Sequence, residues 1–310
     1  MVKQGMGEVF STFRAMNTDV QALIYLSSES KATKLRARDL VSVAQLIFRH
    51  AELTLSRFLP DSELSRLNQK SYIEQASPLF FECVIAALKM AEVTGGIFDL
   101  TILDALEHAG YDRSFEQIGT LTPGLATKIN TFRPPSHRYV ELNHARRSIK
   151  LEKGARIDLG GIAKGMTVDR VAAVIQAQGF KDFMVSAGGD MRLGGNQPGK
   201  SGWEVEMQNP IALEGTLTTL PVIEGAVATS STTRRRWLKG NQLQHHLIDP
   251  RTSEPVDNGL AAVTIVAPTA MLADVFAKTV LILGIEKGRE FINRQENCRV
   301  YMIDVEGRLV

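Results

Sequence analysis

The chain has 310 residues, enough for more than one average domain or for a single two-lobed unit, and its hydrophobic content of 44% is ordinary for a globular protein. Lysine and arginine total 36 against 34 for aspartate and glutamate, so a net charge of +2 gives no overall basic field and argues against nucleic-acid binding. No run of about 18 apolar residues and no apolar leader is present, which predicts a cytoplasmic protein without a transmembrane segment.

The first part of the chain has one strand pattern and two helix patterns. Residues 9–27 alternate between apolar and polar side chains, as β-strands do. Residues 33–55 carry apolar side chains at spacings of three and four, which predicts an amphipathic helix. Ser77-Pro78 favours the start of a second helix, and the Gly95-Gly96 pair favours its end.

The middle of the chain begins with residues 119–137, which are rich in glycine and proline. They are predicted to form a loop and to mark a lobe boundary. Residues 138–151 then resemble a hairpin, with strands near 139–142 and 148–151. A long helix is predicted over 162–178, closed by Gly179.

Strand patterns dominate the remainder, with two helices near the end. The predicted strands are 182–187, 203–208, 217–224, 261–267 and 299–305, and the predicted helices are 270–283 and 285–294. This order is not a regular alternation of strand and helix, so it predicts an α+β fold of antiparallel sheets with packed helices.

The segment 158–165, DLGGIAKG, has the clearest chemical signal. Two adjacent glycines allow a ligand to approach the backbone closely, and they lead into a helix whose first N–H groups are free. Lys164 adds a cation, so the segment suits a pyrophosphate. A plain glycine turn with Asp158 as helix cap is the alternative. The spacing matches neither the Walker A motif nor GxGxxG.

Further motifs follow one another in an order that resembles the ApbE-like flavin transferases, the FAD:protein FMN transferases. The matched segments are 15–18, 56–63, 96–101, 158–165 with Asp169, 186–190, 228–230, 246–252 and 273–274. The resemblance implies a two-lobed ApbE-like (T-fold-like) α+β architecture of mostly antiparallel sheets with flanking helices. It further implies a single domain over 9–310, with the possible lobe boundary at 119–137.

The resemblance also implies an activity. The protein would bind FAD and move its FMN part to a Thr or Ser hydroxyl of a target protein, with release of AMP and assistance from Mg²⁺. Two alternatives stay open. One is an FAD-binding carrier or sensor with weak or no transfer activity, and the other is an FAD pyrophosphatase that uses water and gives FMN and AMP.

Site residues are carried over from the same resemblance. The implied FAD contacts are Met16, Phe58, Ile97, Phe98, Asp99, Asp158, Lys164, Asp169, Ser230, Arg235 and Ile248. The carbonyl of Gly161 and the carboxylate of Asp274 would ligate Mg²⁺, which prefers oxygen ligands. Without the resemblance, the carboxylate of Asp274 is expected only to interact with the helix dipole near the start of a helix. His246, Asp158 and Asp190 are candidates for removing the hydroxyl proton.

Three positions depart from the family pattern: Asn17 and Leu100 stand where the family has Gly and Pro, and the third lies four residues after Asp274. Relatives usually carry a Thr four residues after the metal-binding Asp, whereas this chain has Lys278 there and Thr279 next to it. A side chain one residue further along a helix points about 100° away, and a protonated lysine cannot ligate a metal. Either the ammonium of Lys278 occupies the metal position, or the metal persists with fewer protein ligands.

Overall fold

The computed structural model describes residues 7–28, 30–118, 136–212 and 215–310. Within these ranges the helices are α1 (Lys31–Leu55), α2 (Glu63–Lys70), α3 (Pro78–Val93), α4 (Leu103–His108), α5 (Phe115–Ile118), α6 (Ala163–Ala177), α7 (Ala270–Leu283) and α8 (Ile285–Ile292), with a 3-10 turn at His137–Tyr139. The strands are β1 (Glu8–Ala15), β2 (Thr18–Tyr25), β3 (Tyr72–Ile73), β4 (Val140–Asn143), β5 (Ser148–Leu151), β6 (Phe183–Ala187), β7 (Asp190–Gly194), β8 (Trp203–Gln208), β9 (Thr216–Val222), β10 (Gly225–Ser231), β11 (Arg236–Lys239), β12 (Gln242–His245), β13 (Ile248–Asp249), β14 (Glu254–Pro255), β15 (Leu260–Ala267) and β16 (Arg299–Asp304). The α+β prediction is confirmed.

The main sheet of the described residues has seven strands in the order β1-β2-β6-β7-β10-β15-β16. Each neighbouring pair is antiparallel. Four smaller sheets lie beside it, formed by β3-β5-β4, β8-β9, β11-β12 and β13-β14. The prediction of mostly antiparallel sheets with flanking helices is therefore confirmed.

The two faces of the main sheet contact different elements. Helices α1, α6 and α7 cover one face, where α7 contacts β10 and β15 and α6 contacts β6 and β7. Alternate side chains such as Val263 and Ile265 point into this larger core. Val227 and Val266 point to the opposite face, where the β8–β9 hairpin packs with Trp203. Because both faces are covered, every residue of β15 is buried.

The strand pattern over 9–27 is a hairpin rather than one continuous strand. Ala15 pairs with Thr18, so Met16 and Asn17 form a two-residue turn, and both have positive φ, 50° and 59°. Such hairpin turns require this left-handed backbone, which Asn and Gly tolerate best. The backbone therefore accounts for Asn17 at the position where the family usually has Gly.

The predicted lobe boundary at 119–137 lies almost entirely outside the described residues, so the two-lobed division and the single domain over 9–310 stay predictions. Among the described helices, none combines the length and the apolar character needed to cross a lipid bilayer. The cytoplasmic location also stays a prediction.

Candidate functional site

A cleft of about 640 Å³ lies where the ends of several elements meet, a volume typical of small-molecule sites. It is bordered by the segment after α1, the start of α6, the β6–β7 turn, α7 and the segments around β10 to β13. Most of the side chains predicted from the sequence line it. They are Met16, Phe58, Ile97, Phe98, Asp99, Asp158, Gly161, Lys164, Asp190, Ser230, Arg235, His246, Ile248 and Asp274.

Asp169 is the predicted contact that the structure does not bring to the cleft. Its two carboxylate oxygens accept hydrogen bonds from the backbone N–H groups of Ala270, at 2.8 Å, and Met271, at 2.9 Å. A carboxylate there satisfies free donors and complements the positive end of the helix dipole. Asp169 therefore fixes the start of α7, the helix that carries Asp274, and acts on the cleft only through that helix.

One end of the cleft holds two lysines and two aspartates, hereafter the lysine cluster: Lys164, Asp190, Asp274 and Lys278. The Lys164 ammonium contacts the Asp190 carboxylate and lies 3.9 Å from Oδ2 of Asp274. The Lys278 ammonium contacts Oδ1 of Asp274 from one helical turn away. Both aspartate side chains are almost completely buried, so each depends on an ammonium group for charge compensation.

Local backbone geometry sets the positions of these groups. Asp190 opens β7 directly after the Gly188-Gly189 turn, whose φ values are 63° and 95°. A Cβ on Gly188 would lie 2.3 Å from Oγ1 of Thr18. This glycine pair therefore serves a tight hairpin that delivers Asp190 to the cleft, while Lys164 comes from the first turn of α6.

The charges of the lysine cluster influence one another. Burial raises the pKa of Asp190, and the nearby Asp274 raises it further, against the opposing effect of Lys164 and Lys278. Burial disfavours the charged form of Lys164, but Asp190 and Asp274 outweigh it and raise the pKa of the ammonium. The ammonium form of Lys164 is therefore the one that faces the cleft.

The residues implied as metal ligands, Gly161 and Asp274, both lie beside the side chain of Lys278. A Cβ on Gly161 would lie 3.5 Å from Cδ and Cε of Lys278, so the lysine stem runs past this glycine to reach Asp274. A divalent ion between Gly161 and Asp274 would meet the Lys278 ammonium in contact and that of Lys164 nearby. Nowhere in the described ranges do three or more His, Cys, Asp or Glu side chains form a group able to hold a metal. The residues at this position do not fit Mg²⁺.

Thr279 does not replace the missing oxygen ligand. Its side chain is completely buried, and its hydroxyl donates to the backbone carbonyl of Val275 at 2.9 Å. Helix α7 runs without interruption through this position. The side chain of Thr279 therefore points away from the face that carries Asp274 and Lys278, as the helical geometry predicts.

The other end of the cleft, the aromatic end, is lined by Arg57, Phe58, Tyr111 and Asp158, and Trp237 packs behind Tyr111. The guanidinium of Arg57 lies over the rings of Phe58, at 4.2 Å, and Tyr111, at 4.6 Å. Its Nε contacts Oδ2 of Asp158 at 2.9 Å. Trp237 stacks on Tyr111 with ring centroids 5.4 Å apart. A buried cation here is compensated by one carboxylate and two aromatic faces.

Asp158 has a local role that differs from the helix cap considered for it. Its Oδ1 accepts the N–H of Gly160 at 2.8 Å, while α6 starts later, after Ile162. Its other oxygen is held by Arg57. Asp158 therefore closes the turn before the Gly160-Gly161 pair and ties it to the aromatic end.

His246 lies between β12 and β13 and is buried beside the edge of Tyr111, with ring centroids 6.5 Å apart. Burial lowers its pKa well below the ordinary value, and Arg235 and Lys278 lower it further. Its Nδ1 is buried and has no hydrogen-bond partner among the described residues. The adjacent His245 accepts the N–H of Leu247 on its Nδ1, so it faces other partners. His246 is thus a neutral imidazole with an available nitrogen.

Two other predicted contacts, Asp99 and Met16, have polar groups that make hydrogen bonds within the protein. Asp99 accepts the N–H of Thr101 at 2.8 Å and that of His137 at 2.8 Å, so its carboxylate holds the backbone that borders the cleft. The N–H of Met16 donates to Glu52 at 2.9 Å, which fixes the hairpin turn against α1. Both residues line the cleft.

Arg57 and Tyr111 are among the cleft residues that the sequence reasoning missed. Arg57 lies inside the matched segment 56–63. The sequence signal that could have identified it is its charge, directly before the predicted contact Phe58. Tyr111 lies outside the matched segments. It joins the cleft because its carbonyl accepts a hydrogen bond from Arg57 at 2.7 Å, a contact that no local sequence pattern indicates.

Comparisons with known proteins agree with one another. A model described as the ApbE family matches residues 16–302. The FAD:protein FMN transferase of Escherichia coli (strain K12) is 29% identical over 266 residues, which cover 82% of this chain and 73% of that protein. The enzyme of that name from Salmonella typhimurium is 26% identical, covering 88% and 79%. The structure of the ApbE protein from Thermotoga maritima superimposes with a TM-score of 0.83 at 22% identity, covering 98% of this chain and 96% of that one.

Proposed function

The chain belongs to the ApbE family, and we propose that it is an FAD:protein FMN transferase, an enzyme that moves the FMN part of FAD to a hydroxyl group of another protein. The observation that carries the proposal is a single cleft in which buried ammonium groups lie at one end and aromatic rings at the other. A dinucleotide has a diphosphate and flat rings, and these are the chemical features that such a cleft complements.

FAD contacts divide between the two ends. Lys164 and the free N–H groups at the start of α6 suit the diphosphate, because a helix N-terminus and a cation both attract anions. Arg235 adds a guanidinium, whose positive charge acts to lower the pKa of both Lys164 and His246. Ring-shaped parts of the ligand are assigned to the aromatic end, and the predicted contacts Met16, Phe58, Ile97, Phe98, Ser230 and Ile248 all line the cleft.

The transfer is a phosphoryl substitution. The oxygen of a Thr or Ser hydroxyl attacks the FMN-side phosphorus, the bond from that phosphorus to the bridging oxygen breaks, and AMP leaves with that oxygen. The hydroxyl proton goes to the proton acceptor. Positioning the reactants in line and stabilising charge on the diphosphate supply most of the acceleration.

Of the three candidate proton acceptors, we assign the role to His246. One Asp158 oxygen is held by Arg57 and the other by the N–H of Gly160. Asp190 contacts the Lys164 ammonium. The pKa of His246 is held well below its ordinary value, and its buried Nδ1 has no hydrogen-bond partner among the described residues. A neutral imidazole is the appropriate form for accepting a proton.

The proposed transfer does not use the Mg²⁺ that the resemblance implies. Lys278 contacts the carboxylate of Asp274, the side chain that would ligate the ion. Side chains and backbone groups of the chain itself therefore carry out each step of the proposed transfer.

The proposal is tested by incubating the purified protein with FAD and a cell extract that supplies acceptor proteins. We expect AMP release together with protein-bound flavin fluorescence that survives a denaturing gel. His246→Gln is expected to slow both by about 10²- to 10⁴-fold, the usual contribution of a general base.

Other results would support the alternatives. AMP and free FMN without covalent flavin would indicate a pyrophosphatase. Tight FAD retention without AMP in any buffer would indicate a carrier or sensor and would contradict the proposed transfer.

A further inference from the structure

The position of Lys278 carries an inference that deepens the proposed function and rests on it. Lys278 and Asp274 lie one turn apart on α7, and the ammonium of one contacts the carboxylate of the other. Their side chains are only 17% and 3% exposed. An ion pair with so little contact with water is not the loose surface pair that salt and solvent disrupt.

The lysine stem is confined as well as its head group. Gly161 has no side chain, and the space beside it is occupied by Cδ and Cε of Lys278 and by the ring of Phe98. The stem therefore passes directly along the backbone of the glycine-containing segment that leads into α6. The head group cannot leave Asp274 without opening this packed contact.

Charge compensation at this end is already provided by the chain. Lys278 contacts Oδ1 of Asp274, Lys164 contacts Asp190, and Lys164 also lies 3.9 Å from Oδ2 of Asp274. Oδ2 of Asp274 has no hydrogen-bond partner among the described residues, and the cation that faces it is the Lys164 ammonium. A divalent ion on Oδ1 of Asp274 would have to displace the Lys278 ammonium that already contacts this oxygen, and it would then lie close to that positive charge.

We infer that the ammonium groups of Lys278 and Lys164 take the place of a divalent cation in this cleft, so that the chain binds FAD and transfers FMN without Mg²⁺. An ammonium group offers three hydrogen-bond donors and a full positive charge, so it can hold phosphate oxygens directly. Lys278 is therefore a diphosphate-binding residue. In the transfer step the two ammonium groups stabilise the charge that develops on the departing AMP.

The first experiment measures the affinity for FAD by calorimetry, once in EDTA and once in MgCl₂. We expect wild-type protein to give the same dissociation constant within about twofold. Lys278→Met keeps the stem and removes the charge. It should bind FAD about 10- to 100-fold more weakly in both buffers, because a charge-assisted contact is lost.

Lys278→Thr distinguishes a cation role from a packing role. A hydroxyl one turn after Asp274 supplies an oxygen on the same helix face, and the repelling charge is gone. This variant should be weak in EDTA and recover affinity in MgCl₂, whereas Lys278→Met should not recover. Lys287→Thr, at an exposed position on α8, is the matched control and should behave as wild type.

A second readout does not depend on FAD affinity. Mn²⁺ is a spectroscopic stand-in for Mg²⁺, and its free signal in electron paramagnetic resonance decreases when it binds. With FAD alone as the baseline, wild-type protein with FAD should bind no additional Mn²⁺, while Lys278→Thr with FAD should bind about one ion per chain. If Lys278→Thr does not fold, wild type and Lys278→Met still decide the question.

The inference would be overturned by wild-type affinity for FAD that rises tenfold or more in MgCl₂, by stoichiometric Mn²⁺ binding to wild type, or by unchanged affinity in Lys278→Met. Its failure is distinguishable from failure of the proposed function. FAD binding that needs Mg²⁺ contradicts the inference alone, whereas absence of AMP release and covalent flavin in both buffers contradicts the transferase proposal.

Discussion

The two ends of the cleft are built from different parts of the fold. The lysine cluster is carried by α6, β7 and α7, which belong to the main sheet and its covering helices. The aromatic end is carried by irregular or short segments, with Arg57 just after α1, Tyr111 after α4, and Trp237 on the short strand β11. One end uses paired opposite charges, and the other uses a single cation between rings.

This contrast has a chemical meaning. A phosphoryl transfer requires the phosphorus and its surrounding charges to be held accurately, and long packed elements provide that accuracy. Flat rings tolerate small changes in position, because stacking and cation–π contacts have broad geometry. The following predictions test whether the lysine cluster is the energetically demanding end and the aromatic end the more tolerant one.

The largest expected effect is at Lys164. Lys164→Ala should lower the free energy of unfolding by about 3–5 kcal/mol, because removing one partner of a buried pair leaves the carboxylate of Asp190 uncompensated. Urea unfolding of the protein without FAD measures this change. Lys150→Ala is the control, since its pair with Glu152 is in contact with solvent and should contribute little to stability. Equal losses for the two variants would show that the lysine cluster is not a demanding site.

A smaller effect is expected at Arg57. Arg57→Met keeps an apolar stem between the rings but removes the partner of Asp158, so the free energy of unfolding should fall by about 1.5–3 kcal/mol. Thermal or urea unfolding can measure it. Arg113→Met, at an exposed pair with Asp112, provides the baseline. A loss at Arg57 no greater than this baseline would mean that the aromatic end gains nothing from its cation.

Ligand preference tests whether both ends act on one molecule. FAD should bind at least tenfold more tightly than FMN, a difference of about 1.4 kcal/mol or more, because FMN lacks the AMP half and loses the contacts of the adenine, its ribose and the second phosphate. Calorimetric titration with each ligand is the measurement. Phe58→Ala should narrow the gap by weakening FAD more than FMN. Equal affinities in wild type would show that the AMP half of FAD contributes no binding energy.

The smallest effect concerns His246, whose pKa in the folded protein is held well below the ordinary 6.5 by burial and by Arg235. As the pH falls through 6.5, unfolded chains take up a proton at this position and folded chains do not. The free energy of unfolding therefore decreases as the pH falls, and this residue contributes at most about 1.4 kcal/mol per pH unit to that decrease. Urea unfolding at several pH values should show a shallower slope for His246→Gln than for wild type. The exposed His50→Gln should keep the wild-type slope, and an unchanged slope in His246→Gln would contradict the neutral, buried assignment.

The parts of the fold predicted well from sequence are those with long periodic patterns. Helices α1, α6 and α7 repeat an apolar spacing over several turns, and each begins or ends near its predicted boundary. Strand β10 was missed because its small residues, GAVATSS, give no alternation, although both of its edges are paired within the sheet. The β11–β12 hairpin depends on Trp237 packing against Tyr111, a contact that joins distant parts of the chain.

The site followed the same division. The motif residues were predictable because each motif marks a backbone turn or a helix start, and the fold gathers these at one cleft. Asp169 went elsewhere because its carboxylate caps a helix 101 residues further along the chain. Arg57 and Tyr111 were not predictable because their roles come from stacking between separate segments. For Lys278, the sequence left two outcomes open, and the contact with Asp274 favours the ammonium over the metal.

In the proposed transfer of FMN, ammonium groups of the chain stabilise the charge on the diphosphate. The most direct test of this role is the single-turnover rate of AMP release from FAD, with acceptor proteins from a cell extract, measured in EDTA and in MgCl₂. We predict rates that agree within about twofold, with one covalently bound flavin formed for each AMP released. AMP release that is absent in EDTA and restored by MgCl₂ would contradict the account and show that a divalent ion displaces Lys278 from Asp274.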